Sequence, residues 1–202
     1  MREKDYDKLL NIRTEGVQLG FNKSFHYHRY EPTPYSALEV LFRDYDLKSS
    51  DRIVDFGCGK GRLLFYINYL WNAYVTGVEM NEELYTEAIR NRDSFLMENK
   101  KGKDKVHFYY GLAQDYQIDS FDNRFYFFNP FSIQVFMNIV NNILRSMERA
   151  ERQVDLVLYY PSEEYIYFLE NQTAFALKQE VKLRGNYGHN ANDRFLIYRL
   201  VL

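Results

Sequence analysis

Apolar and polar positions along the chain follow two alternating periods, and the alternation predicts the elements. Arg52–Phe56 (RIVDF) is a short apolar run that ends in glycines, which predicts a buried strand. Arg62–Trp71 is apolar and free of glycine, which predicts a helix, and Tyr74–Glu79 (YVTGVE) a second strand. Asn81 then stands as an N-cap. Glu82 and Glu83 follow in the first turn, where the helix dipole favours anions, and this helix runs to about Asn99. Val106–Gly111 and Arg124–Phe128 predict the third and fourth strands. After Ser132 as a cap, Ile133, Phe136, Met137, Val140, Ile143, Leu144 and Met147 fall on one continuous helical face. Val154–Tyr160 predicts a fifth strand and Ser162–Asn171 a short helix. Strand and helix in repeated succession imply a parallel sheet with helices on both faces.

The C-terminal part departs from that rhythm. Phe175–Leu183 and Arg194–Leu202 both read as strands, separated only by the turn-rich stretch Arg184–Asp193. With no helix-length segment between them they should pair antiparallel. The predicted fold is therefore α/β and doubly wound: a mostly parallel seven-stranded sheet with an antiparallel C-terminal strand. Residues 1–48 are predicted to form an N-terminal helical or lid segment packed on a domain of residues 49–202. Within that segment Pro32 and Pro34 restrict the chain before a helix at Ser36–Tyr45. The basic stretch Lys100-Lys101-Gly102-Lys103 reads as a helix end and turn.

Composition narrows the classes. A net charge of −2 argues against a chain built mainly to coat nucleic acid or an anionic membrane, while leaving room for a local basic patch. Aromatic residues make up 18% of the chain, which predicts an aromatic core, with a stacking surface for a planar substrate as the alternative. Cys58, the one cysteine, has no partner for an intramolecular disulfide, which fits a reducing compartment. The charged start Met1–Asp5 has none of the apolar character of a signal peptide, and no apolar run approaches the ~18 residues a membrane span requires. These features predict a soluble, cytoplasmic protein. His26 and His28 lack further His or Cys at ligand spacing, so no metal site is expected; either is a candidate general base.

Candidate chemistry gathers where the first strand meets the first crossover helix, at Gly57-Cys58-Gly59-Lys60-Gly61. In an open α/β sheet, ligands bind beyond the carboxyl ends of the strands. Glycines allow a sharp turn and close approach to the main chain, and N–H groups at a helix start attract anions. Asp55, just before the loop, suits a cationic amino group or holds the loop by accepting backbone N–H bonds. Glu79, ending the second strand, suits the two hydroxyls of a ribose or caps the next helix. A dinucleotide-dependent oxidoreductase is the competing reading, but its fingerprint needs a third glycine where Arg62 stands.

Asp55-Phe56-Gly57-Cys58-Gly59-Lys60-Gly61 resembles motif I of the class I S-adenosylmethionine-dependent methyltransferases, and Glu79 matches the acidic end of their second strand. The resemblance runs from about Ser49 to the C-terminus. It implies S-adenosyl-L-methionine as cofactor, with Asp55, Phe56, Gly57, Cys58, Gly59 and Gly61 around its methionine part and Glu79 and Met80 at its ribose. Leu112 stands where an acidic adenine contact is common, so Leu112, Ala113 and Gln114, with Asp115 assisting, are the adenine-side candidates. Phe128-Asn129-Pro130-Phe131 is similar to the Asn-Pro-Pro-aromatic motif of members that methylate exocyclic or amide nitrogens, though with one proline. Asn129 is thus the candidate catalytic residue and also lines the cofactor site. Pro130 and Phe131 are substrate-side candidates, with an ordinary strand-to-helix turn as the alternative. In the family the segment before motif I often folds over the cofactor; Thr33 on the cofactor side and Tyr30 and Tyr35 on the substrate side are candidates for that contact. The implied reaction is in-line methyl transfer to an acceptor, nitrogen among the possibilities, with a small molecule or protein favoured. A nucleic-acid methyltransferase and a non-catalytic cofactor-binding module are the alternatives.

Overall fold

A computed structural model of the protein describes residues 2–16, 30–183, 190 and 192–201. His26, His28 and residues 184–189 and 191 of the turn-rich stretch lie outside the described residues.

Two helices precede the sheet, α1 (Glu3–Leu9) and α2 (Tyr35–Asp44). The chain then alternates β1 (Arg52–Phe56), α3 (Arg62–Trp71), β2 (Tyr74–Glu79), α4 (Glu82–Glu98), β3 (Val106–Tyr110), β4 (Arg124–Phe127), α5 (Ile133–Arg149), β5 (Asp155–Tyr159) and α6 (Glu163–Gln172). It closes with β6 (Phe175–Lys182) and β7 (Arg194–Leu200). The seven strands form one sheet in the order β3-β2-β1-β4-β5-β7-β6. β1 to β5 pair in parallel, and β7 runs antiparallel to both β5 and β6. This is the predicted mostly parallel sheet with an antiparallel C-terminal strand.

Element ends differ from the pattern by a residue or so, for local reasons. β4 stops before Phe128 and β5 before Tyr160, where the chain turns through left-handed residues: Asn129 at φ 41° and Tyr160 at φ 51°. Such a residue cannot continue a strand. α2 begins at Tyr35, one residue early, because Pro34 with φ −59° takes the N-cap position. Asn81 caps α4 as predicted, accepting the N–H of Leu84 at 3.0 Å, and Ser162 caps α6 by accepting that of Tyr165.

Alternate residues of each strand feed two cores. Ile53, Val75, Tyr126, Val157 and Ile197 face α2, α3 and the N-terminal segment. Val54, Phe56, Phe125, Phe127, Leu156 and Leu196 face α5 and α6. The core is aromatic, and its buried hydroxyls are satisfied: Tyr165 donates to the Phe131 carbonyl at 2.6 Å, Tyr198 to Glu170 at 2.8 Å and Tyr35 to Asp7 at 2.8 Å. Among the described residues no helix is long and apolar enough to cross a membrane.

Candidate functional site

Parallel register sets the site. Asp55 of β1 lies level with Gly77 of β2 and Tyr126 of β4, and Phe56 with Val78 and Phe127. The carboxyl ends of these strands therefore form one edge, with the glycine loop leaving between β2 and β4. The order of the sheet reverses there, between β1 and β4.

The loop turns through three glycines at positive φ: Gly57 at 80°, Gly59 at 54° and Gly61 at 86°. Protein side chains fill the space their missing Cβ atoms leave. A Cβ on Gly59 would sit 2.1 Å from the Tyr30 ring, one on Gly57 2.9 Å from Pro130, and one on Gly61 2.8 Å from Phe108. Four loop N–H groups are also used internally. Gly57 and Cys58 donate to the Val78 carbonyl, Gly61 to that of Cys58, and Gly59 to Oε2 of Glu79 at 2.9 Å. The expected free N–H cradle is thus largely spent on holding the loop.

Two carboxylates are buried beside the loop. Glu79, 7% exposed, accepts the N–H of Gly59 on one oxygen and that of Asn81, at 2.8 Å, on the other. Burial raises its pKa, against the opposing pull of those N–H groups. Asp55, 5% exposed, is pushed up to about 8 by burial and then by the charge of Glu79. Burial and the same two carboxylates also raise the Cys58 thiol, which leaves it unreactive. Two buried carboxyls, one of them raised by the charge of the other, mark a place that favours a positively charged guest.

The outer residues divide. Met80 and Leu112 expose large apolar side chains, 39% and 37% respectively, at the ends of β2 and just after β3. Ala113 is buried, and the buried Oε1 of Gln114 has no hydrogen-bond partner. Asn129 is half-buried just beyond the carboxyl end of β4. Pro130 packs on Gly57, while Phe131 lies in the core facing α5, with its N–H and carbonyl both bonded to the Tyr165 hydroxyl. Thr33 is buried and shares a hydrogen bond of 2.7 Å with the Tyr126 hydroxyl. Tyr35 is fully buried, stacked on Tyr6, and so faces α1.

Sequence reasoning missed what holds the N-terminal segment over the loop. Arg62, 4% exposed in the first turn of α3, donates to Thr14 Oγ1 at 2.7 Å and to the Thr33 carbonyl, pairs with Glu3, and lies over the Tyr35 ring at 4.6 Å. Lys60 reaches the Glu15 carbonyl and pairs with Glu87 at 2.8 Å, and Asn91 of α4 bonds the carbonyls of Arg13 and Lys60. The Tyr30 hydroxyl donates to the Thr14 carbonyl at 2.8 Å. The available signal was a cation, Arg62, at the head of an otherwise apolar helix.

The sequence profile of the methyltransferase domain family matches residues 47–189, well over half of the chain. The chain belongs to that family. A stretch of 58 residues, 29% of this methyltransferase domain protein, is 38% identical to ribosomal protein L11 methyltransferase of Thermotoga neapolitana and spans only 22% of that protein. Two solved structures share the fold. An RNA methyltransferase from Salinibacter ruber, in complex with S-adenosyl-L-homocysteine, has 21% identity and a TM-score of 0.52 over 84% of this chain and 92% of its own. Geranyl diphosphate C-methyltransferase from Streptomyces coelicolor, also with S-adenosyl-L-homocysteine, has 12% identity and a TM-score of 0.55 over 83% and 76%. A protein, an RNA and a small isoprenoid stand behind these three names, so the likeness leaves the acceptor open.

Proposed function

We propose that the protein is an S-adenosylmethionine-dependent methyltransferase working in the cytoplasm. The observation that carries the reading is the pair of buried carboxylates, Asp55 and Glu79, ending neighbouring strands on either side of a left-handed glycine loop. Family membership and the two neighbours solved with S-adenosyl-L-homocysteine support it. The residues fit the group. Asp55 answers the ammonium of the methionine part, and Glu79, its two oxygens already oriented by Gly59 and Asn81, has lone pairs left for ribose hydroxyls. Met80 and Leu112 offer apolar contact to a planar base, and the unpartnered Gln114 Oε1 is an acceptor suited to an exocyclic amine. Cys58 and Ala113 complete the wall, while the Phe56 ring, stacked on Phe127 in the core, only backs it. The buried thiol of Cys58 suits the reducing cytoplasm.

The bound cofactor supplies an activated methyl on a sulfonium. The protein's part is to position the acceptor, and such positioning contributes up to ~7–11 kcal/mol to a two-body reaction. Asn129, set at the edge by its left-handed turn, holds the acceptor nitrogen through its side-chain amide, and Pro130 fixes that turn against Gly57. The N-terminal segment, clamped by Arg62 and Lys60 with Tyr30 over Gly59, acts as the lid, and Thr33 braces it on Tyr126. Calorimetry with S-adenosylmethionine and NAD tests the reading: micromolar or tighter binding of the first and none of the second is expected, and the reverse result overturns it. Transfer of radiolabel from the cofactor to a fraction of cell extract then separates an enzyme from a binding module.

A further inference from the structure

In each other crossover of the parallel sheet a full helix covers the strands: α3 between β1 and β2, α4 between β2 and β3, α5 between β4 and β5. The described residues between β3 and β4 form only a single 3-10 turn, Ala113–Asp115, and a loop. One face of β2 and β3 therefore has no helix over it; the loop covers its upper part, where Val78 is buried, and leaves the rest open. Tyr74 and Thr76 of β2 are on it, both only partly buried, with His107 and Tyr109 of β3, both exposed; Thr76 pairs with His107 and Val78 with Tyr109.

Rings and cations interleave across this face. The Lys105 ammonium lies over the Tyr74 ring at 4.7 Å and the Arg52 guanidinium over the same ring at 4.8 Å, and Arg52 also lies over Phe121 at 4.9 Å. Phe121 is 66% exposed, so its ring is available to a partner. Tyr109 meets Tyr116 edge-on at 5.6 Å. Lys100, Lys101 and Lys103 are all exposed in the turn leading into β3. Asp119, 3.6 Å from Arg52, the exposed Asp104 and the buried Asp122, which accepts from the Tyr116 hydroxyl at 3.2 Å, are neighbouring acids; against them stand Arg52, Lys100, Lys101, Lys103 and Lys105. The net charge of −2 is a sum over the whole chain and hides this concentration.

We propose that this open face is a docking surface for single-stranded nucleic acid. Exposed rings offer stacking platforms for unpaired bases, and the cations beside them take the phosphates. A duplex keeps its bases stacked inside and has no use for the rings, while an acidic peptide has no bases to offer them. The upper end of the face adjoins the candidate cofactor edge, because Gly111, just after β3, donates its N–H to the Glu79 carbonyl at 3.0 Å. A strand lying along β3 is therefore led toward Leu112 and Glu79. That continuation rests on the methyltransferase reading; the binding does not.

The test is fluorescence anisotropy of the full chain with a labelled mixed-sequence RNA of about 12 nucleotides at roughly 50 mM salt, beside single-stranded DNA, duplex DNA and polyglutamate. The expected result is binding of both single strands in the micromolar range, weakening about tenfold by roughly 200 mM salt. Combining Tyr109→Ala with Phe121→Ala, both at exposed positions, should weaken it roughly tenfold while the protein still unfolds in one cooperative melt, stacking being lost. Arg90→Ala, exposed on α4, should change nothing. No binding, equal or tighter binding of duplex or polyglutamate, or wild-type affinity in the double variant overturns the proposal. Cofactor calorimetry on the same double variant stands apart: retained cofactor binding with lost RNA binding shows that the two readings fail or hold separately.

Discussion

Gly59 donates its backbone N–H to Oε2 of Glu79 at 2.9 Å, tying the middle of the glycine loop to the end of the neighbouring strand. The other oxygen of the same carboxylate accepts the N–H of Asn81. One side chain thus holds the loop after β1 and the start of α4 in fixed relation, and the geometry of the candidate site depends on it.

Glu79→Ala leaves the buried N–H of Gly59 and the part-buried N–H of Asn81 without their acceptor, the first costing ~1–3 kcal/mol and the second less. Urea denaturation should show a loss of that order, and calorimetry a loss of cofactor affinity of about 1.5–3 kcal/mol, the scale of charge-assisted hydrogen bonds. Glu79→Gln keeps one acceptor oxygen and should lose less stability. Reduced stability with unchanged affinity would confine Glu79 to a structural role.

The contact of Tyr30 with Gly59 is open to a double-mutant cycle. Gly59→Ala places a methyl group 2.1 Å from the Tyr30 ring on a backbone at φ 54°, so it carries both a clash and the ~1–2 kcal/mol strain of the left-handed region. Tyr30→Ala removes the clash and leaves the strain. The double variant should therefore be more stable than the sum of the singles by about 1 kcal/mol or more, the coupling expected of residues in contact. Additive effects in thermal or chemical melts would remove Tyr30 from the loop.

Asp55 makes a prediction about pH. Its pKa stands near 8 in the folded protein, raised by burial and by Glu79, against about 3.9 in the unfolded chain. Between those values the folded state holds a proton that the unfolded state does not. The contribution of this group to stability is therefore fully present at acid pH and lost as pH rises toward about 8. Melting curves of Asp55→Asn should lack that decline, and the difference between variant and wild type should grow from about pH 5 to pH 8. A cationic guest favours the charged carboxylate, so cofactor binding near neutral pH should release a proton, visible as a dependence of the calorimetric heat on the buffer's ionisation enthalpy. Proton uptake on binding would show that the ammonium is held elsewhere.

The pattern of the chain by itself determined the strands, their alternation with helices, the antiparallel end, the glycine loop and the two carboxylates. Those features are local: a period, a cap or a loop depends on residues near one another in sequence, and Arg52–Phe56 reads as a strand wherever the rest of the chain lies. Neighbouring strand ends then follow from parallel register, which is why Asp55 and Glu79 were legible together. What Tyr30, Thr33 and Tyr35 do was not legible. Their partners, Gly59, Tyr126 and Asp7, lie far off along the chain or across the segment, and nothing in a stretch of aromatics and prolines says which ring will face the loop and which will be buried. Arg62 at the head of an apolar helix was open to reading as a surface charge until the tertiary structure folded Thr14 and Glu3 onto it. The tertiary structure likewise decided that Phe131 joins the core and that the β3–β4 crossover leaves a sheet face without a helix. Burial is a property of what packs on a residue, and long-range packing is not written in the order of its neighbours.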